Sequence, residues 1–589
     1  MNISSIASTI NYSSFAQPLP PESPLASAIG NSLSEKLDFV EKSKAAQIKY
    51  QDTGLSTDFS APLTDSQESV LQAEMDNLMI STCSKSQMTQ INGTASNDTI
   101  KATPNKDGSL TIDVNGQKTT YSKEQVANGF IINSGDGNDS IDISASDANF
   151  IINSGEGNNT VSLGSGRNIA FIGNGNNYIN GNAEGAKRVF IEAGTGDNNI
   201  SLGKSPNKVV TNGGTNTITA NQGSLNDIIS KFADGKTTTI NLDTDRGNYV
   251  TTTGTANITV GNGENTIESF SGNINVTAGN GNNTIVGGKQ ANTITVGNGN
   301  NYISGGLGSD TIQAGDGDNT IYGLNGGNQI TVGNGNNYVD GGAGNDTIIA
   351  GTGKNIVVGG LGEDKIRVAG TEGTIIDDSD GSNITGGEGN NVKLYNSSET
   401  SFLGVSFKVA GTELFQARIK SDLEVFRATD SGKKLLSEID SSGKQVVVQQ
   451  THDQNGYSGP LNPNEGFKGK ITPDGQRGEG MDAHILINPA FLGPAQGRPV
   501  NVFFHEGVHA YNNVTGTMQT ENMFEYDQET GISSIVGLAE FQAVGLNIIN
   551  GTKIEHPDGT VTAGNPQGLS ENALREELGL PKRNSYTGK

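Results

Sequence analysis

The chain has 589 residues, of which 82 are Gly and none is Trp, and only 32% are hydrophobic. One compact core cannot account for such a composition, so a repeat array is the alternative. A formal net charge of −25 leaves no broad basic surface to neutralise phosphates, which excludes a nucleic-acid partner and disfavours an anionic membrane surface. Cys83 is the only cysteine, so no intramolecular disulfide can form, and no apolar run reaches the roughly 18 residues of a membrane span.

Residues 1–35 contain nine Ser and no charge before Glu22. They lack the early basic residue and apolar stretch of a cleavable secretory signal and are read as a disordered leader. In composition, including Ile3, they resemble the N-termini of bacterial type III secretion effectors. Residues 36–91 are expected to be helical, most clearly over Asp65 to Met79. There Asp65 and Glu68 have capping-box spacing, and Val70, Leu71, Met75, Leu78 and Met79 share a face. Such a helix would either dock a secretion chaperone or cover the end of the array that follows.

From about residue 92 to 395 the sequence repeats. Gly-x-Gly begins at Gly261, Gly279, Gly297, Gly315, Gly333 and Gly351, and half-repeats such as Gly306 to Ile312 and Gly342 to Ile348 lie between them. The pattern resembles the RTX nonapeptide, a turn plus a short strand with an inward aliphatic residue, two of which make one coil. About 15 coils spanning on the order of 70 Å are expected, with insertions near Gly135, Gly155, Gly173 and Gly194, where the spacing loosens. One turn position is always Asn, at 265, 283, 301, 319, 337 and 355, and predicts a metal-free ladder of carboxamides. The opposite position reads Asn292, Asp310, Asn328, Asp346 and Asp364. Asp346 and Asp364 are its only adjacent carboxylates, so any Ca2+ in the array is expected there.

Residues 501–511 place an apolar run ahead of His505, Glu506 and His509. On a helix the two imidazoles at i and i+4 share a face and can hold one Zn2+, with Glu506 as general base towards a metal-bound water. The third ligand is not at the metzincin position, which is Thr515, with Asn512 in place of a Gly. Thermolysin-like spacing would select Glu529, with Gly531 following two residues on; Glu540 is preferred, on a second helix expected over Ile532 to Asn547. A short capped helix from Ser570 to Leu578 precedes Arg583 and Tyr586, whose spacing can aim a guanidinium and a phenol at one oxyanion. The stretch Met481 to Asn488 reads as a strand edging the cleft, and His452, His484 and His556 receive no role.

The run His505 to His509, Glu540 within Ala539 to Gly545, and Ser570 to Tyr586 resemble the NleD-type effector metallopeptidases of type III secretion. More distantly they are similar to clostridial neurotoxin light chains, which use two His and a Glu as ligands and an Arg-x-x-Tyr pair. The resemblance implies a secreted zinc endopeptidase, translocated into the host cytosol, cleaving a host protein of which signalling kinases are the known class. The chain is thus read as multidomain. Residues 1–35 form a leader, 36–91 a helical segment, 92–395 a right-handed parallel β-roll or β-helix solenoid, and 396–589 an α+β zincin-like metallopeptidase domain. The alternative is a non-catalytic adhesin or scaffold carrying a degenerate protease.

Overall fold

The computed structural model describes residues 88–589 apart from 182–184, 186, 222–223, 232–234, 379–380, 452–455, 489–497, 527–532, 549–550 and 587–589. The chain divides into the units Met1–Thr82 and Cys83–Lys589, and every described residue belongs to the second. The leader, the helix expected over Asp65 to Met79, His452 and Glu529 lie outside the described residues. The first strand, Thr89–Asn92, occupies the end of the stretch read as helical.

A parallel β-solenoid follows. One wall is a 16-stranded sheet running from Thr89–Asn92 to Asn391–Tyr395. In the regular part, aliphatic residues stack in register: Ile267, Ile285, Ile303, Ile321, Val339, Val357 and Ile375 on this wall. Ile258, Val276, Ile294, Ile312, Ile330, Ile348 and Ile366 stack on the facing one. All are buried in one continuous core, because only the inward position of each short strand escapes water. Upstream, the looser spacing appears as unequal coils: successive turn residues are bonded across 20, 18, 21 and 18 positions. Hairpins over Thr99–Pro104, Leu110–Val114 and Gln117–Tyr121 elaborate the start. The helix Lys123–Asn128 there is opened by a Ser122 and Gln125 capping box.

The turn residues are buried, so their polar atoms need partners. From Asn207 through Asn226, Asn248, Asn265, Asn283, Asn301, Asn319 and Asn337 to Asn355, each Nδ2 donates to the next Oδ1 at 2.8–3.0 Å. The amide of Asn265 also donates to the Gly261 and Gly263 carbonyls. The column on the other side is uneven. Asn292 and Asn328 donate to the Gly305 and Gly341 carbonyls at 2.9 and 3.1 Å. Oδ2 of Asp310, Asp346 and Asp364 meets no hydrogen-bond partner. Burial pushes these carboxyls up to about 7 for Asp310 and Asp346 and about 8 for Asp364, against the pull of donors from Asn292, Asn328 and the Asp346 backbone.

The C-terminal domain has a four-stranded sheet in the order Phe407–Ala410, Val446–Gln450, Ala483–Ile487, Tyr457–Pro460, the last antiparallel. Five helices matter for the site: α1 (Glu413–Ala428), α2 (Asp430–Ser441), α3 (Pro499–Thr515), α4 (Leu538–Val544) and α5 (Glu571–Glu577). α1 lies on the solenoid flank. Tyr302, Tyr322, Tyr338, Ile356, Val358 and Ile376 share one buried core with Phe415, Ile419 and Phe426 of α1 and Phe503 and Phe504 of α3. Within it Arg418 sits 3.4 Å over the Tyr322 ring and pairs with Asp422 at 2.6 Å. The strand expected to edge the cleft is flanked on both sides, by Val446–Gln450 and Tyr457–Pro460. Among the described strands the edge next to it is Tyr457–Pro460. The helix expected over Ile532 to Asn547 starts only at Leu538, because Ser533–Gly537 pairs with Asn522–Tyr526 in a hairpin.

The Asp column sets a pH dependence. A carboxyl whose pKa rises from 3.8 on folding binds its proton more tightly in the folded chain, so that contribution is complete below about 4 and lost as pH rises through 7 to 8. In chelator-treated protein, the solenoid melting temperature is expected to fall over that window relative to Asp346→Asn and Asp364→Asn variants. Parallel curves for wild type and variants would contradict the assignment.

Candidate metal centre

All residues of α3 are buried, the polar Asn501, His505, Glu506, His509, Asn512, Asn513 and Thr515 among them. Pro499 opens it, and Gly516 closes it in the left-handed conformation at φ 72° with its N–H on the Asn512 carbonyl. Gly507 lets it approach α2, since a Cβ there would stand 3.0 Å from Leu435. Phe426 stacks on Phe503 at 5.2 Å and meets Phe504 edge-on at 5.1 Å. The remaining side presents His505, Glu506 and His509.

The structure brings His505, His509 and Glu540 together. Nε2 of His505 lies 3.1 Å from Nε2 of His509, and Oε2 of Glu540 lies 3.1 and 3.2 Å from them. This triangle is close to the ligand spacing of about 3.3 Å that bonds of about 2.0–2.1 Å give in a tetrahedral site. Among the described residues it is also the one cluster of His, Cys, Asp or Glu with metal-ligand spacing. The far nitrogen of His505, Nδ1, lies 3.1 Å from Oε2 of Glu571. A proton held there leaves Nε2 as a lone pair aimed into the triangle, the tautomer a cation requires. Three electron-pair donors converge, so the residues fit a bound cation.

The charges agree with that fit. Burial disfavours the imidazolium of His505, yet Glu540 and Glu571 push its pKa up to about 10. Burial works against the Glu540 carboxylate too, but the two imidazoles hold it far below the usual range. The anionic surroundings thus call for positive charge at the centre. Glu571 is itself held by Arg583 at 3.0 Å and Arg575 at 3.1 Å, which with His505 depress its pKa against burial. Burial raises Glu506, the imidazoles lower it, and Glu540 and Glu571 raise it further. Its side chain lies against Gly456, where a Cβ would come within 2.6 Å of Glu506 Cγ.

Tyr586 lies beside the centre, its ring 6.4 Å from that of His505. Burial and the Glu540 charge hold its phenol in the protonated form, against the pull of Arg583. Its backbone N–H is fixed by Glu525 at 2.6 Å. Arg583 differs from the expectation of a guanidinium aimed at an oxyanion. It is buried, bonded to Glu571 and to the Tyr586 carbonyl, with Asn572 clamping its backbone, because Glu571 is the nearer anion. His484 and His556 lie apart from the triangle, His484 against the Pro460 carbonyl and His556 against the Tyr511 hydroxyl.

Against this geometry, residues 404–586 match the family model Peptidase_M91, described as an effector protein. Residues 404–586 form a Peptidase_M91 effector domain. The domain is a peptidase. Stretches of the solenoid at 151–170, 277–312, 295–330, 304–339 and 331–366 match the RTX calcium-binding nonapeptide repeat. No curated protein and no solved structure matches the chain.

Two residues of the Peptidase_M91 domain escaped sequence reasoning. Gly456 sits in a loop with no motif. Glu571 carried one local signal, its i,i+4 spacing to Arg575 at the start of a capped helix. Replacing Glu571 by Gln removes the anion that fixes His505, and metal affinity is expected to fall about 10- to 100-fold. Competition with a fluorescent chelator measures this, and an unchanged affinity would exclude the role.

Proposed function

We propose that the Peptidase_M91 domain is a zinc endopeptidase that cleaves a host intracellular protein, with His505, His509 and Glu540 holding the ion. The observation that carries this reading is the triangle of three ligand atoms 3.1–3.2 Å apart, backed by Glu571 on His505. When bound, zinc acidifies a water towards neutral pH and polarises the scissile carbonyl. Glu506 takes a proton from the attacking water and delivers it to the leaving amine. Burial lifts its basicity towards the working pH. Tyr586, kept protonated, donates to the oxyanion that forms on the carbonyl. Arg583 acts one step back, holding Glu571 and the Tyr586 backbone. An extended substrate is expected to add to the edge of Tyr457–Pro460, with Gly456 leaving room for Glu506.

The resemblance to type III effectors supports delivery into the host cytosol through the leader, with a secretion chaperone on residues 36–91, and a signalling kinase as the substrate class. Purified protein is expected to hold about one zinc per chain, lost in His505→Ala. In host-cell lysate analysed for new N-termini, Glu506→Gln should keep zinc while cleavage falls at least about 100-fold. Tyr586→Phe should lower kcat by about 100-fold at unchanged KM. Zinc-free wild-type protein that cleaves nothing would return the chain to a scaffold or adhesin, and cleavage surviving Glu506→Gln would remove Glu506 as the base.

A second ion has its own support. We infer that Ca2+ in the solenoid binds at Asp346 and Asp364, where hard, buried carboxylate oxygens lack donors in a segment matching calcium-binding repeats. Calorimetric titration should give heat that Asp364→Ala removes, and equal heats in both proteins would place any bound calcium elsewhere.

A further inference from the structure

Arg498 stands at the N-cap of α3, with φ −74° and ψ 153°, and makes no side-chain capping bond there. A cation at a helix N-terminus opposes the helix dipole, and Arg lacks the short acceptor that caps the free N–H groups. The local choice is therefore unfavourable and calls for compensation elsewhere. The compensation lies on the solenoid. Arg498 Nη1 donates to the Thr320 hydroxyl at 2.9 Å and to the Asp318 carbonyl at 3.4 Å, and Nη2 donates to the Asn336 carbonyl. Asp318 and Asn336 occupy equivalent turns of successive coils, each three residues beyond its Gly-x-Gly start at Gly315 or Gly333. One planar guanidinium thus bridges two rungs, a geometry that a Lys point charge does not reproduce.

A second tie has the same direction. Glu577 at the end of α5 pairs with Lys393 of the last solenoid strand at 3.0 Å and accepts from the Asp430 and Ser431 N–H groups of α2. α5 carries Glu571, the partner of His505. Both the helix bearing two ligands and the helix that orients one of them are therefore anchored on coils.

We propose that the solenoid is the fixed support of the metal-bearing helix and that Arg498 is the positioning residue through which it acts. The peptidase is then built on its repeats, not tethered to them. The assignment rests on the metal reading of the centre for its effect on the ligands, while the support itself is tested without metal.

The experiment uses the full chain with Arg498→Ala, Arg498→Lys and Thr320→Val. In chelator-treated protein, hydrogen exchange of residues 499–515 is expected to quicken by about tenfold or more in Arg498→Ala, the scale set by losing charge-assisted hydrogen bonds. Arg498→Lys should recover part of the protection and Thr320→Val lose a smaller part, with solenoid amides unchanged in all three. In cobalt-loaded protein, Arg498→Ala should alter the visible d–d spectrum and weaken cobalt affinity roughly tenfold, as for a group that orients ligands. Wild-type exchange over 499–515 in Arg498→Ala overturns the proposal. Should that variant not fold, Thr320→Val decides: faster exchange confined to 499–515 supports the anchor, and unchanged exchange overturns it. A wild-type chain that binds neither zinc nor cobalt ends the metal reading and leaves the exchange result to judge the support.

Discussion

A helix buried on every side must be covered on every side, and this governs the C-terminal domain. All of α3 is buried, so four structures have to meet around it: α2 against Gly507, Phe426 of α1 against Phe503 and Phe504, the sheet, and the pair α4 and α5. The same burial makes its polar residues demanding. His505, Glu506 and His509 have left water, and each requires a charge or a donor inside the protein. Glu540 and Glu571 supply it to the imidazoles from two other elements, and the imidazoles in turn favour the Glu506 carboxylate. The ligand geometry is therefore a consequence of packing, since the carboxylates reach the imidazoles only when α4 and α5 close over α3.

What the sequence revealed follows from the range of the interactions involved. The 18-residue period is legible because each coil repeats the same contact with its neighbour, and the carboxamide ladder from Asn207 to Asn355 expresses that contact in one residue type. His505 and His509 are legible because i and i+4 share a helix face whatever surrounds them. Glu540 is singled out by its helical context, and the helix starts later than its periodicity suggests: Ile535 is in helical phase with Leu538, but Ser533–Gly537 is drawn into a strand by Asn522–Tyr526. The rest depended on partners remote in sequence. Glu571 meets His505 across 66 positions, and Arg498 meets its carbonyls across 162 and 180. No local pattern records such contacts.

The two columns of turn residues pose one problem and solve it differently. A carboxamide carries its own hydrogens, so an Asn rung can satisfy its neighbour and the glycine carbonyls together. A carboxylate in the same place accepts the backbone N–H equally well, as Asp346 shows towards Asn328 at 2.6 Å, but its second oxygen has nothing to accept. Such a rung is complete only with a proton or a cation. The Asn side is thus closed chemically, while the Asp side stays responsive to its medium.

That difference bears on the peptidase through position. The Asp346 and Asp364 rungs belong to the coils whose outer strands, Tyr338–Ala343 and Ile356–Leu361, carry Tyr338, Ile356 and Val358 into the core shared with α1 and α3. Asp340, on the same flank, is buried near Asp422 and Ser421 and is itself pushed up to about 7 by burial. Order in these coils is therefore order in the floor beneath the helix that carries His505 and His509. Cores are close-packed and transmit displacement, so the rungs least satisfied by their own hydrogens lie under the part of the molecule where small displacements matter most.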